Sequence, residues 1–152
     1  MARLLFVCSG NTCRSPLAAV LARAVVADHA MGIVVASAGI SAVDGSPASG
    51  HAQTVAAALG GSLADHRSMR VSGGLLGAAD LVLTMTGDHR DRLLAQWPAM
   101  ADRVLTLGEA AGLDQDVADP FGGSYEDYER TAAELGRLIR AAWPQIAGRL
   151  GG

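Results

Sequence analysis

Apolar positions along this chain fall in short blocks broken by glycine, proline and polar clusters, and the spacing within each block separates strand from helix. Residues 3–7 form a short apolar run of strand type. Leu17, Val20, Leu21, Ala24 and Val25 recur at helical spacing, which predicts a helix running to about Ala30 and ended by Met31-Gly32. Residues 33–36 predict a second buried strand, and 37–47, with Gly39, Gly45 and Pro47, a loop. A helix is expected over 48–59, stopped by Gly60-Gly61, and a glycine-weakened one over 72–79. Residues 80–85 are the clearest third strand, 87–96 a helix ended before Pro98, and 103–107 a fourth strand. A polar loop over 114–124 leads into a long final helix over 125–146, with a bend expected at Pro144. Apolar strands alternating with helices imply an α/β fold: a single three-layer domain whose parallel sheet is covered by helices on both faces.

Composition narrows this further. At 152 residues the natural count is one domain, and with half its residues apolar and 18% charged the chain can build a proper core. No internal repeat or low-complexity linker interrupts it. A net charge of −3 without any basic run argues against nucleic acid as the main partner. Residues 1–7 are too short for the apolar part of a signal peptide, and no stretch approaches the length of a membrane span. Both cysteines lie in one loop, so they are no disulfide framework for a secreted fold. A cytoplasmic protein with no membrane partner is the expectation.

That loop, Val7-Cys8-Ser9-Gly10-Asn11-Thr12-Cys13-Arg14-Ser15-Pro16, carries the chemistry. It follows the first strand and opens the first helix, with Ser15 suited to the cap and Pro16 to the first helical position. Backbone N–H groups and the positive end of a helix dipole then converge on one spot. Gly10 and Asn11 are residue types that accept the left-handed angles such a nest uses. Cys8 and Arg14 bracket the loop with spacing C-x5-R, so an oxyanion in the nest sits against sulfur and meets a two-pronged guanidinium. A nucleophilic thiol must be ionised. Lowering a thiol pKa from ~8.5 by about three units needs ~4 kcal/mol of preferential stabilisation of the anion, of which a helix dipole supplies at most ~2 kcal/mol. Converging amides, the Arg14 charge and the Ser15 hydroxyl are there to supply the rest, and no metal is required.

Cysteinyl phosphoryl transfer also needs an acid for the departing group and then a base for water. Asp119-Pro120-Phe121-Gly122-Gly123-Ser124 is the best source: Pro120 biases Asp119 toward an extended backbone, the glycines let the loop approach, and Phe121 can wall the mouth. Asp114 and Asp116 compete for the same role.

These motifs, with Ser37-Ala38-Gly39 and Asp80-Leu81-Val82-Leu83-Thr84-Met85, resemble the low-molecular-weight protein tyrosine phosphatase family over essentially the whole chain. The resemblance implies a four-stranded parallel sheet with helices on both sides. It implies Cys8 as the nucleophile that forms a phosphocysteine, with Arg14 and the loop from Ser9 through Cys13 holding the phosphoryl oxygens. Ser15 would hydrogen-bond the Cys8 sulfur, Asn11 would hold the loop's shape, and Asp119 would act as general acid and then general base. Within the family the chain is most similar to the bacterial protein arginine phosphatases, which carry threonine where Thr12 stands and the same Asp-Pro-Phe-Gly-Gly-Ser segment. A phosphotyrosine site wants flat apolar walls, and residues 37–47 hold no aromatic residue. Thr12 and Asp119 can instead face a planar guanidino group. The expected activity is hydrolysis of phosphoarginine in phosphorylated proteins or peptides by a monomer that needs no cofactor, with phosphotyrosine as the alternative substrate.

Rivals on such a scaffold fare worse. An arsenate reductase needs relay cysteines downstream, and none follows Cys13. A cysteine-phosphorylated sugar-transport subunit has less use for Arg14, and a non-catalytic phosphate binder would not keep both thiol and acid. Cys13 reads either as a buried hydrophobe or as the partner that traps an oxidised Cys8 in a disulfide. His29, His51, His66 and His89 lack a second ligand at metal spacing and are expected at the surface or in capping roles. Trp97, Trp143, Tyr125 and Tyr128 are expected in packing or on a helix surface, the two tyrosines also being candidates for the mouth.

Overall fold

The computed structural model describes residues 1–151. Four parallel strands, β1 (Ala2–Cys8), β2 (Ile33–Gly39), β3 (Leu81–Thr84) and β4 (Val104–Thr106), form one sheet in the order β2-β1-β3-β4. The helices are α1 (Arg14–Asp28), α2 (Gly50–Ala58), α3 (Gly73–Ala78), α4 (Gly87–Gln96), α5 (Leu107–Ala110) and α6 (Tyr125–Leu150). Alternation along β1 divides the core. Leu4, Phe6 and Cys8 join a large cluster built with α1, α2 and α6, whereas Leu5 and Val7 join a smaller one with Leu76 of α3 and Leu93 of α4. The central strand is therefore apolar on both faces, as a parallel sheet covered by helices requires.

Chain order reverses at β1: β2 lies on one side of it and β3 on the other. In open α/β sheets the crevice for ligands forms where the order switches, outside the carboxyl ends of the strands. Cys8 is the last residue of β1 and sits at that point.

Several boundaries differ from the sequence-based expectation. The second strand continues through Ser37-Ala38-Gly39, which the hydropathy pattern assigns to a loop, because β2 pairs with β1 along its whole length up to Cys8 opposite Gly39. Polar Ser37 ends the apolar run without ending the ladder. Gly39 is required there: a Cβ would lie 2.5 Å from the Ser9 carbonyl oxygen and 2.9 Å from the Asn11 nitrogen. The first helix begins at Arg14 with Cys13 at the cap position, where Cys13 makes no side-chain cap bond. Ser15 is thus not the cap and Pro16 is the third helical residue. The missing N–H costs nothing there either, since the first turn has no intrahelical acceptor. Short α5, absent from the expectation, starts where the fourth strand was drawn out to Leu107 and is capped by a reciprocal Thr106–Glu109 pair. The last helix runs to Leu150, with Pro144 inside it. Among the described residues no helix is long and apolar enough to cross a membrane.

Candidate active site

The loop from Cys8 to Ser15 is densely bonded, with Cys8, Asn11, Cys13, Arg14 and Ser15 buried, Ser9 and Thr12 half-buried and Gly10 exposed. Cys8 is 3% exposed, and its sulfur lies 2.9 Å from Ser15 Oγ and 3.3 Å from the Asn11 N–H that points at it. The Asn11 N–H donates to the sulfur, and between the sulfur and the Ser15 hydroxyl either group can be the donor. Ser15 is fully buried, so its hydroxyl serves the loop and not the helix cap.

Asn11 holds the loop's shape. It adopts φ of 58°, the left-handed region that asparagine enters more readily than most residues. Its Nδ2 donates to Ser15 Oγ (2.8 Å) and Ser37 Oγ (3.0 Å), and its Oδ1 accepts from the Met69 N–H (2.9 Å). His66 Nε2 donates to the Asn11 carbonyl at 2.8 Å. Gly10, in contrast, does not take a positive φ, and a Cβ there would meet only Thr12 Oγ1 at 3.8 Å. The left-handed turn is carried by asparagine alone.

Arg14 is 5% exposed and held by the other half of the site. Its Nη1 donates to the Val117 carbonyl at 2.9 Å, and its Nη2 lies 3.5 Å from Asp119 Oδ2. Asp119 Oδ1 accepts from the Phe121 N–H at 3.1 Å, so a local turn fixes one carboxylate oxygen and leaves the other facing the arginine. A cleft of about 220 Å³ is lined by Cys8, Gly10, Thr12, Cys13, Arg14, Asp119 and Phe121. Thiol, cation and carboxylate thus share one space, with Phe121, 73% exposed, at its edge. Larger clefts exist, one of about 470 Å³ lined by Arg70 and Trp97 among them, but none of the linings of these contains a thiol. Of the competing acids, Asp116 is committed to the first N–H of α4 (Gly87, 3.0 Å), and neither Asp114 nor Asp116 lines the cleft.

Four supporting residues were not read as such from the sequence. His66 and His89 are neither surface nor capping groups: one bonds the Asn11 carbonyl, and the other is buried with Nε2 2.8 Å from Ser9 Oγ. Tyr128 is buried in α6, its hydroxyl 3.3 Å from Cys13 Sγ, and Ser49 Oγ lies 3.5 Å from the same sulfur. The signals were faint, since each residue is distant in sequence from the loop. His29 does act at its helix end, where Nδ1 lies 2.9 Å from the Val25 carbonyl oxygen. Both cysteines are free thiols. No cluster of three or more His, Cys, Asp or Glu among the described residues is placed to hold a metal ion.

A cysteine and an arginine bracketing a tight loop at the end of a central parallel strand, faced by an aspartate, define a thiol-type phosphate site on an α/β scaffold. Residues 3–148 match the family described as low molecular weight phosphotyrosine protein phosphatase, and the chain belongs to that family. The protein-arginine-phosphatase of Geobacillus stearothermophilus is 43% identical over 138 residues, which cover 90% of this chain and 90% of that protein. A solved structure of the arginine phosphatase YwlE, a mutant with a phosphorylated active-site serine, superimposes with a TM-score of 0.90 at 36% identity and covers 95% of each chain. The low molecular weight protein tyrosine phosphatase from T. tengcongensis gives a TM-score of 0.91 at 40% identity, covering 95% of this chain and 99% of that one.

Proposed function

We propose that this chain is a protein arginine phosphatase that works through a phosphocysteine on Cys8. The observation that carries the proposal is the convergence of Cys8, Arg14 and Asp119 on one cleft of about 220 Å³. In the first step the Cys8 sulfur attacks phosphorus in line with the departing guanidine. An S–P bond forms, the P–N bond breaks, and its electron pair takes the proton of Asp119. Guanidine is a very poor leaving group as an anion, so this proton is obligatory. Arg14 and the loop amides, from Ser9 to Ser15, hold the three non-bridging oxygens as charge gathers on them. In the second step Asp119 takes a proton from water, whose oxygen attacks phosphorus and displaces the sulfur. Phosphate leaves and the thiolate returns. The phosphorylated serine in the YwlE mutant supports group transfer to the residue at this position of the fold.

Phosphoarginine is favoured by the cleft walls. Thr12 and Asp119 both line the cleft, and Phe121 is the one aromatic residue in the lining. Phosphotyrosine is the second candidate, favoured by that ring, which can stack on a phenol, and by the tyrosine phosphatase name of the T. tengcongensis protein. On this proposal the domain spans 1–152 and acts in the cytoplasm as a monomer on phosphorylated proteins, without a cofactor. Side-by-side kcat/KM values on phosphoarginine and phosphotyrosine peptides decide between the substrates. Phosphoarginine is expected to lead, and Thr12→Ile to shift the ratio toward phosphotyrosine. An unchanged ratio would remove Thr12 from the specificity argument.

A further inference from the structure

We propose that His89 is a positioning residue of this site, fixing the first peptide beyond the nucleophile through its bond to the Ser9 side chain. The inference rests on reading the Cys8–Arg14 loop as an oxyanion cradle.

Ser9 follows Cys8 directly and is gripped from two directions. On the β2 side its carbonyl accepts the Ser41 N–H at 2.9 Å, and Gly39 packs against it closely enough that no Cβ would fit. On the β3 side its hydroxyl meets His89 Nε2 at 2.8 Å, and among the described residues this is the one side-chain bond Ser9 makes. The imidazole is well placed to hold it. His89 is 4% exposed and sits in the first turn of α4, where its N–H donates to the Thr86 Oγ1 cap at 3.1 Å. Its Nδ1 is buried without a partner. A buried polar atom left unsatisfied is costly, and a histidine placed only to fill space would be expected to yield to an apolar residue there.

The charged groups facing this ring are Arg14 from α1, Asp88 and Arg92 from α4 and Asp116 from the loop before α6. Burial first, and then the Arg14 charge, push its pKa down to about 4, against the opposing pull of Asp88 and Asp116. The ring is therefore neutral at working pH and adds no second cation beside Arg14. What it contributes is geometry. Loop amides aim at an oxyanion only while the chain leaving Cys8 is held in place, and small misplacements are expensive in rate.

The test uses the full chain with 4-nitrophenyl phosphate as substrate and orthovanadate as the oxyanion probe. Ser9→Ala and His89→Leu are each expected to raise the vanadate inhibition constant about 10-fold and to lower kcat/KM more than kcat. The double variant is expected to lose no more than either single one, because both remove the same bond. His89→Gln, whose amide nitrogen can replace Nε2, is expected to recover most of the loss. Wild-type behaviour of Ser9→Ala, multiplying losses in the double variant, or failure of the glutamine to rescue would each overturn the proposal. If His89→Leu does not fold, Ser9→Ala and His89→Gln still decide the matter. A wild-type chain that neither turns over the ester nor binds vanadate would instead strike the cradle reading itself, and the role of His89 with it.

Discussion

The two halves of the candidate site are built in opposite ways. In the loop at residues 8–15 Cys8, Asn11, Cys13, Arg14 and Ser15 are buried, and the side chains of Asn11 and Ser15 have their polar atoms partnered. The segment at 114–124 is mostly exposed, and only Val117 and Pro120 of its residues are buried. Val117 is anchored to the body by its N–H, which donates to the Met85 carbonyl at 2.9 Å. Asp119, two residues further on, is 49% exposed and touches the rest of the site through Arg14. The difference suits the work proposed for each half. An oxyanion cradle gains from donors that need no reorganisation when charge develops. A proton donor must let substrate in, follow the leaving group and later admit water, which suits an accessible segment.

Substitutions can break this contrast, starting at the rigid half. Cys8→Ser is expected to abolish turnover, by ~10⁴-fold or more, while vanadate affinity stays within a few-fold; retained turnover would remove Cys8 from the mechanism. Asp119→Asn should slow hydrolysis of phosphoarginine by ~10²–10⁴-fold, and 4-nitrophenyl phosphate much less because its leaving group is good. A uniform mild effect would reopen the acid role for Asp114 or Asp116. Asn11→Ala is expected to act on stability as well as rate. It leaves Ser37 and Met69 without their partner and should cost roughly 2–4 kcal/mol in chemical denaturation. The corresponding exposed-loop change, Phe121→Ala, is expected to leave stability within about 0.5 kcal/mol.

Acid sensitivity gives the smallest and sharpest comparison. The His89 pKa falls from 6.5 to about 4 on folding, so the unfolded chain binds the proton more readily. The contribution of the neutral ring to stability is therefore complete above pH 6.5 and is lost as the pH falls through about 4. Melting temperature should drop less over this window in His89→Gln than in the wild type. Equal slopes would mean that the ring does not titrate as its burial implies.

The same contrast sets what the sequence made legible. Cys8, Arg14 and Asp119 could be picked out because their chemistry is local: a C-x5-R spacing and an Asp-Pro turn announce themselves within a few residues. All three line one cleft, and the catalytic role of each is for the substitutions above to decide. The supports of the loop were not legible. His66, His89, Ser49 and Tyr128 reach it from separate elements, and no periodicity marks a side chain whose partner lies 36 to 115 residues away. The β2 boundary was missed for a related reason. Ser37 looks like the start of a loop, yet its hydroxyl accepts from Asn11 Nδ2, a tertiary demand that no local pattern records.

One bond has an evolutionary corollary. Arg14 is tethered to the Val117 oxygen, a main-chain atom that every amino acid supplies. Replacement at Val117 can therefore leave the tether in place, whereas Asp119 must keep its carboxyl group. A single insertion or deletion between 117 and 119 is another matter, because it changes the two-peptide lever that sets the carboxyl group against the guanidinium. The tether is thus indifferent to the side chain at 117 and sensitive to the number of residues between 117 and 119.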